Sequence, residues 1–325
     1  MSGLLVTAEQ RELVDGILAP LDGVLPLTRL RHPDLDEAAC WTTLAELGWL
    51  GSAAGEEVGG VGLTAVECAL MAERFGRALA PTNIVATIMA ARILEAEAPH
   101  LSAALVAGEK RAAFGWVDAA QQLLTCDDPA ATLAIVLGDD NVAIHEIREA
   151  GVTLGESRTL WSTTLRAVNR SREILVSRAE SELAVAQLLL AAQASGIAAA
   201  TRDTAVDYAK SRHQFGQPIG AFQAIKHRCA DMALRALAAT DLVSFASVAV
   251  ADLRPDASLL ASAALNTALR GALLNCAANI QIHGGMGFSD ECVAHHYLKR
   301  ARLLEAICGG LSAVRRRVLS ANMCA

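Results

Sequence analysis

"SRHQFGQPIGAFQAIKHRCADM", residues 211–232, interrupts a chain whose second half otherwise reads as long helix. Before it, "ELAVAQLLLAAQASGIAAATRDTAVDYAKSR", residues 182–212, carries apolar residues at three- and four-residue spacing, with small residues that admit close neighbours. After it, "FQAIKHRCADMALRALAATDLVSFASVAVAD", residues 222–252, resumes the same spacing at once. Phe215-Gly216, Pro218 and Gly220 are turn formers. The stretch therefore predicts a turn between two long antiparallel helices, with Arg212 where the first one ends. A third long run, residues 256–285, and a shorter terminal helix complete a predicted four-helix bundle over 179–325.

Working back towards the N-terminus, residues 1–110 predict a helical domain. "TAEQRELVDGILAPL" and "TAVECALMAERFGRAL" both open on a Thr cap and carry helical apolar spacing. "GEEVGGVGL", residues 55–63, is a Gly-rich turn between helices. Such a turn can cradle phosphate, but it has no G-x-G-x-x-G spacing and no strand before it, so a connector is the expected role. From 111 to 178 the texture changes to short runs of Val, Ile, Phe and Trp, with a Gly-Asp-Asp-Asn turn joining two of them. The fold class is mainly α with a small β domain between two helical blocks.

Composition removes several classes of function. Hydrophobic residues make up 53% of the chain and aromatics 4%, so the core is built from Ala, Leu, Val and Ile. The net charge of −7 gives no footing for nucleic acid, which needs clustered Lys and Arg. The one dense basic run, Arg315-Arg316-Arg317, reads as a solvated helix end. No signal peptide is legible at the N-terminus, no uninterrupted apolar stretch of membrane-spanning length stands out, and a soluble, cytoplasmic protein is expected. Eight scattered cysteines (40, 68, 126, 229, 276, 292, 308 and 324) show no metal-ligand spacing and are expected to be mostly small buried hydrophobes.

The helical–β–helical layout and three motifs resemble the acyl-CoA dehydrogenase family, across nearly the whole chain. "LAELGWLGSAAGEEVGGVGL" is similar to the family's Glu-Glu-x-Gly-Gly segment. "YAKSRHQFGQPIGAFQAIKHRCADM" is similar to its Arg-x-x-Phe-Gly-x-x-Ile…Gln signature, and "QIHGGMGF" to its Gln-x-x-Gly-Gly-x-Gly loop. The resemblance implies FAD as cofactor, an acyl-CoA thioester as substrate and electron-transfer flavoprotein as acceptor. It assigns Arg212 to the diphosphate, where a guanidinium offers a bidentate fork. Phe215 would offer an apolar face to adenine and Gln223 its edge, Gln281 belongs to the same cofactor set, and Gly284 and Gly285 would bring backbone N–H groups to phosphate. In the family these residues serve FAD held mainly by a neighbouring subunit, so the resemblance implies an oligomer.

The reaction side departs from the pattern. The carboxylate that takes the α-proton usually stands directly before Gly-Thr in the terminal loop; here Cys308 stands there, followed by Gly309 and Gly310. A thiol with an ordinary pKa of about 8.5 is a poor base at neutral pH. Some members carry the base on the first bundle helix instead, at the position that Ala186 fills in this chain. Glu305 and Glu182 are the remaining candidates, and Glu305 reads as structural. The β domain has only "AAFGWVDAA" where the family has a longer flavin-cradling loop, while Thr164 and Arg166 sit at positions common in shortened relatives. Three readings follow: a base-lacking subunit of a heterotetramer with a full-length acyl-CoA dehydrogenase subunit, a self-sufficient homo-oligomer with a relocated base, or a non-catalytic assembly protein.

Overall fold

The computed structural model describes residues 5–30, 36–157 and 163–323. Six helices precede the sheet: α1 (Ala8–Ile17), α2 (Leu21–Val24), α3 (Glu37–Glu46), α4 (Ala65–Arg77), α5 (Thr82–Leu94) and α6 (Pro99–Val106). The caps read from sequence are present. The Thr7 hydroxyl accepts from Gln10 N–H while the Gln10 side chain accepts from Thr7 N–H, and Thr64 and Glu67 repeat the arrangement on α4. The Gly-rich turn at 55–63 spends its N–H groups internally, with Val61, Gly62 and Leu63 donating to Gly51, Ala54 and Ser52 carbonyls. It is a connector, with those donors already occupied.

The sheet has seven strands: β1 (Ala112–Val117), β2 (Leu123–Cys126), β3 (Leu133–Leu137), β4 (Val142–Glu149), β5 (Thr153–Ser157), β6 (Thr163–Ala167) and β7 (Arg170–Ser177). Their order is β5-β6-β2-β1-β3-β4-β7, and only the β1–β3 pair is parallel. The Gly-Asp-Asp-Asn turn joins β3 to β4 as its turn residues predict.

The bundle is α7 (Glu180–Ser211), α8 (Gln223–Ala251) and α9 (Ala257–His283), followed by α10 (Ala294–Ile307) and α11 (Gly310–Met323). Two short terminal helices thus replace the single one expected. The chain breaks at Cys308–Gly309–Gly310, where both glycines have positive φ. Another correction concerns apolar length: α7, α8 and α9 are each long and apolar enough, by length and composition, to cross a membrane. For α7 the apolarity is core, since 94% of its most apolar window is buried. For α8 and α9 the buried shares are 44% and 56%, leaving an outward face that includes Leu234, Leu237 and Leu274.

Small residues set how closely the parts approach. A Cβ on Gly76 of α4 would lie 2.0 Å from the Gln193 carbonyl oxygen of α7, and one on Gly196 would lie 2.0 Å from that of Glu73. Only glycine on both sides permits this crossing. Polar ties then fix the register of the bundle: Asn275 Nδ2 on α9 donates to the carbonyls of Ala198 on α7 (3.1 Å) and Met232 on α8 (3.0 Å). Both carbonyls lie within helices, and that of Ala198 also accepts from the Thr201 hydroxyl, so losing these donations would strand the buried Asn275 amide, at a cost of about 1–3 kcal/mol.

Of the cysteines, Cys40, Cys68, Cys126, Cys276 and Cys308 are buried, Cys229 and Cys292 partly so, and Cys324 lies outside the described residues. The basic run is only half as expected: Arg315 and Arg316 are exposed, but Arg317 is buried and its Nη1 donates to the Cys308 carbonyl at 3.1 Å.

Candidate functional site

The interruption at 211–232 is a miniature hairpin. β8 (His213–Gln214) pairs with β9 (Gln217–Pro218) across Phe215-Gly216, whose φ values of 53° and 78° build the turn, and a 3₁₀ turn at Ile219–Ala221 leads into α8. Such primed turns take positive φ at both central positions, and Phe215 accepts the left-handed conformation to make one. The backbone of Arg212 is tied down on both sides, its N–H donating to Tyr208 (2.9 Å) and its carbonyl accepting from Ile219 N–H (2.8 Å). Its exposed guanidinium takes no protein partner among the described residues.

Packing beneath the surface brings the second motif to the same end of the bundle. Ala205 and Ala209 of α7, Met232 of α8 and Ile282 of α9 form a small separate core, against which Tyr208, Ile219 and Ile225 pack. Above it the Tyr208 and His283 rings stack at 4.2 Å and 24°. His283 ends α9, and Gly284 follows at φ 61°, ψ −138°, a conformation that only glycine adopts readily. Around Gly284 and Gly285 nothing would meet an added Cβ within 4 Å, so the loop faces open space. Gln281, exposed on the last turn of α9, lines a groove of about 510 Å³ between α8 and α9. Gln223 is the exposed first residue of α8. Phe215 is 92% exposed, its ring edge-on to Phe222 at 6.1 Å.

At the other end of α7 the reaction-side positions are sealed. Ala186 and Cys308 are both fully buried in the main core. Burial pushes the Cys308 thiol up to about 12, against the lesser opposing pull of Arg317. Glu305 is tied to Arg302 Nη1 at 2.7 Å. Glu182 meets Arg92 Nε at 3.4 Å, and Arg92 lines a cavity of about 560 Å³ with Glu180, Ala184, Val185, Val250 and Arg254. The structure thus unites the hairpin and the glycine loop, and separates Cys308, Glu305 and Glu182 from both. Arg166 is half-buried, on the strand facing Thr125 and Thr153, and the Thr164 side chain lies outside the described residues.

Sequence reasoning missed the junction between sheet and bundle. The Thr82 N–H donates to Asp127 Oδ2 at 2.6 Å, the Thr82 hydroxyl does the same, and Arg300 of α10 is ion-paired to that carboxylate, all of it buried. Beside it Asn83 Nδ2 donates to Asp128 Oδ2 at 2.6 Å, and burial pushes the Asp128 carboxyl up. Asp127 sits at φ 73°, just after the last residue of β2. An isolated Arg on a helix carries no sequence signal that it is buried. Half-buried Arg92 on α5 and Arg254 in the loop between α8 and α9, which line the cavity, were missed as well.

Comparison with known proteins decides the family. The description "Acyl-CoA dehydrogenase, N-terminal domain" matches residues 7–97, and "Acyl-CoA dehydrogenase, C-terminal domain" matches 176–324. Acyl-CoA dehydrogenase IpdE2 of Mycobacterium tuberculosis is 32% identical over 263 residues, 76% of this chain and 74% of that protein. The chain belongs to the acyl-CoA dehydrogenase family. This is a family of FAD-dependent oxidoreductases, so the dinucleotide to be matched is FAD. Acyl-CoA dehydrogenase FadE34 of the same organism is 33% identical over 297 residues, which cover 85% of this chain but only 41% of that relative. The solved ChsE4-ChsE5 complex from M. tuberculosis shares the fold, with TM-score 0.78 and 22% identity over 97% of both chains.

An acyl-CoA dehydrogenase's FAD presents a doubly charged diphosphate, and the hairpin end fits it. Arg212 offers an unpartnered guanidinium, and the Gly284–Gly285 loop offers backbone that no side chain screens.

Proposed function

We propose that this chain is a subunit of an FAD-dependent acyl-CoA dehydrogenase that grips the flavin diphosphate of a neighbouring full-length subunit and supplies no catalytic base of its own. The observation that carries the reading is the Arg212 guanidinium, unpartnered and exposed beside an open glycine loop and a 92%-exposed Phe215. Ala186 and Arg212 lie 26 positions apart along one helix and its cap, about 39 Å at the rise of an α-helix. A dinucleotide gripped at Arg212 does not reach back to this chain's own reaction-side positions, so the grip serves another subunit. When bound, FAD supplies the two-electron acceptor for the dehydrogenation. Arg212 and the N–H groups of the glycine loop hold its diphosphate, Phe215 covers the adenine face, and Gln223 and Gln281 pair with polar edges. The outward face of α8 and α9, with Leu234, Leu237 and Leu274, is the surface that the partner covers.

Loss of the base supports the same reading. Ala186 has no proton acceptor, and the Cys308 thiol stays protonated through the whole physiological range. The cavity near the start of α7 has apolar walls that suit an acyl chain, with Arg92 and Arg254 at its rim paired to Glu182 and Asp256. Electron-transfer flavoprotein is the acceptor this chemistry calls for. The test is co-expression with a full-length family member from the same genome, read by native mass, flavin absorbance and oxidation of acyl-CoA with an artificial acceptor. A yellow, active heterotetramer and a colourless chain when expressed alone are expected. Stoichiometric FAD and turnover by the chain alone would overturn the reading.

One observation favours a second reading, a self-sufficient homo-oligomer. Glu182 is half-buried and contacts Arg92, which lines the cavity. In that case Glu182→Gln lowers turnover by orders of magnitude; an unchanged rate disposes of it.

A further inference from the structure

A cavity of about 400 Å³ lies on the seam between α5–α6 and strands β3, β4 and β7. It shares no lining residue with the groove at the hairpin end or with the cavity at the start of α7. Its walls are apolar: Leu94 and Leu101 from the helices, Leu133 and Ile147 from β3 and β4, Ile174 and Leu175 from β7. Successive side chains of a regular strand point to opposite faces, so Ile174 and Leu175 would not both line one cavity. They do so because β7 bulges there: Ile144 pairs with Leu175 and His145 with Glu173, which leaves Ile174 as the extra residue. Four charged or titratable groups complete the lining. Glu146 is half-buried and accepts from Arg148 Nε at 3.0 Å. Glu97 and His100 are exposed, where water screens them. Lys110 is half-buried and has no ion-pair partner among the described residues. Thr132, also on the wall, holds a hydroxyl sealed from solvent with no hydrogen-bond partner.

We propose that this seam is a binding site for a small apolar monocarboxylate, with its hydrocarbon part between the Leu and Ile walls and its carboxylate on the Lys110 ammonium. An apolar cavity of about 150 Å³ accepts benzene. One of about 400 Å³ admits a ring with a short carboxylate arm. The choice of head group follows from which charges are already met. Glu146 has Arg148 and Glu97 has water, whereas a half-buried ammonium has lost part of its hydration and gained no counter-charge in exchange. An anion that reaches Lys110 therefore forms a charge-assisted pair with no partner to displace. The proposal does not rest on the diphosphate grip, because none of these residues belongs to the hairpin or the glycine loop.

The experiment is calorimetric titration of the full chain with phenylbutyrate, and with phenylbutanol and phenylbutylamine as its neutral and cationic counterparts. The carboxylate is expected to bind one per chain, about tenfold more tightly than the alcohol, and the amine more weakly than either. Lys110→Met keeps an unbranched apolar stem and removes the charge. It should bring the carboxylate down to the affinity of the alcohol and leave the alcohol unchanged. Ile174→Trp fills the cavity from its bulge and should abolish binding of both. Preference for the amine, or a carboxylate affinity unmoved by Lys110→Met, overturns the proposal. Carboxylate binding that survives Ile174→Trp puts the ligand elsewhere and overturns it too, as does the absence of saturable binding to wild type. Circular dichroism identifies any variant that has unfolded. If Ile174→Trp is among them, Leu101→Trp fills the cavity from α6 in its place, and the comparison of carboxylate with alcohol in Lys110→Met decides in either case.

Discussion

The two ends of α7 make opposite use of the same Ala- and Leu-rich helix. At its C-terminal end Arg212, Phe215 and the glycine loop are exposed, with a guanidinium and backbone donors unspent. At its N-terminal end Ala186 and Cys308 are sealed in the core, where burial has pushed the thiol up to about 12. A free guanidinium in water costs a fold nothing and waits for an anion. A catalytic base in a packed core would need a cavity and partners to hold its charge, and neither surrounds these two positions. The contrast teaches that exposure and burial can be set independently at the two ends of one helix, because the hairpin end packs on its own small core while Ala186 and Cys308 belong to the main one.

Reactivity of Cys308 breaks or sharpens this contrast most. Moving a thiol from about 8.5 to about 12 removes roughly 10³-fold of its thiolate at pH 8, so iodoacetamide is expected to modify native Cys308 at least that much more slowly than the urea-unfolded chain. Peptide mapping by mass spectrometry measures it, and equal rates would mean that the reaction-side end is open. Next comes tolerance to a methyl group. Gly196→Ala places a Cβ 2.0 Å from the Glu73 carbonyl oxygen and should cost about 3 kcal/mol, whereas Gly285→Ala meets nothing within 4 Å and should stay within about 0.5 kcal/mol. Thermal melts of the two variants compare the packed and the open region directly.

A smaller effect is expected at the grip. Arg212→Ala removes one charge-assisted pair and should speed flavin loss from the assembled protein about 10- to 100-fold with no change in melting temperature, since the side chain has no protein partner to lose. Smallest of all is Glu305→Gln. Its pair with Arg302, at 2.7 Å but with an exposed guanidinium, is worth about 0.5 kcal/mol, and turnover of the assembled enzyme should change less than twofold. A large loss of turnover would move the base to Glu305 and erase the contrast between the two ends.

Much of this is legible in the residue types alone. Turn formers at 215–220 marked the break between helices, and the Thr caps and hydrophobic spacing placed α1, α4, α7, α8 and α9. Legible too were the residues at the two positions where the family resemblance expects a base, Cys308 and Ala186. Burial was harder. Arg317 reads as part of a solvated basic run yet lies inside, donating to the carbonyl of Cys308. Arg300 and Asp127 look like ordinary polar residues, and their pairing spans 173 positions. Apolar length misled as well, since the composition of α7 records a helix surrounded by others rather than one lacking long apolar runs.

By itself the sequence determined the helical–β–helical order, the turn that displays Arg212, the glycine loop, and the identity of the residues at 186 and 308, all of which depend on residue type and near neighbours. Only the tertiary structure decided that hairpin and glycine loop share one end of the bundle, that Cys308 is buried so that its thiol is pushed up, and that the His283 ring stacks on Tyr208. Those outcomes depend on which helices touch, and contact between residues 75 positions apart on different helices is set by packing of the whole core, which no local pattern encodes.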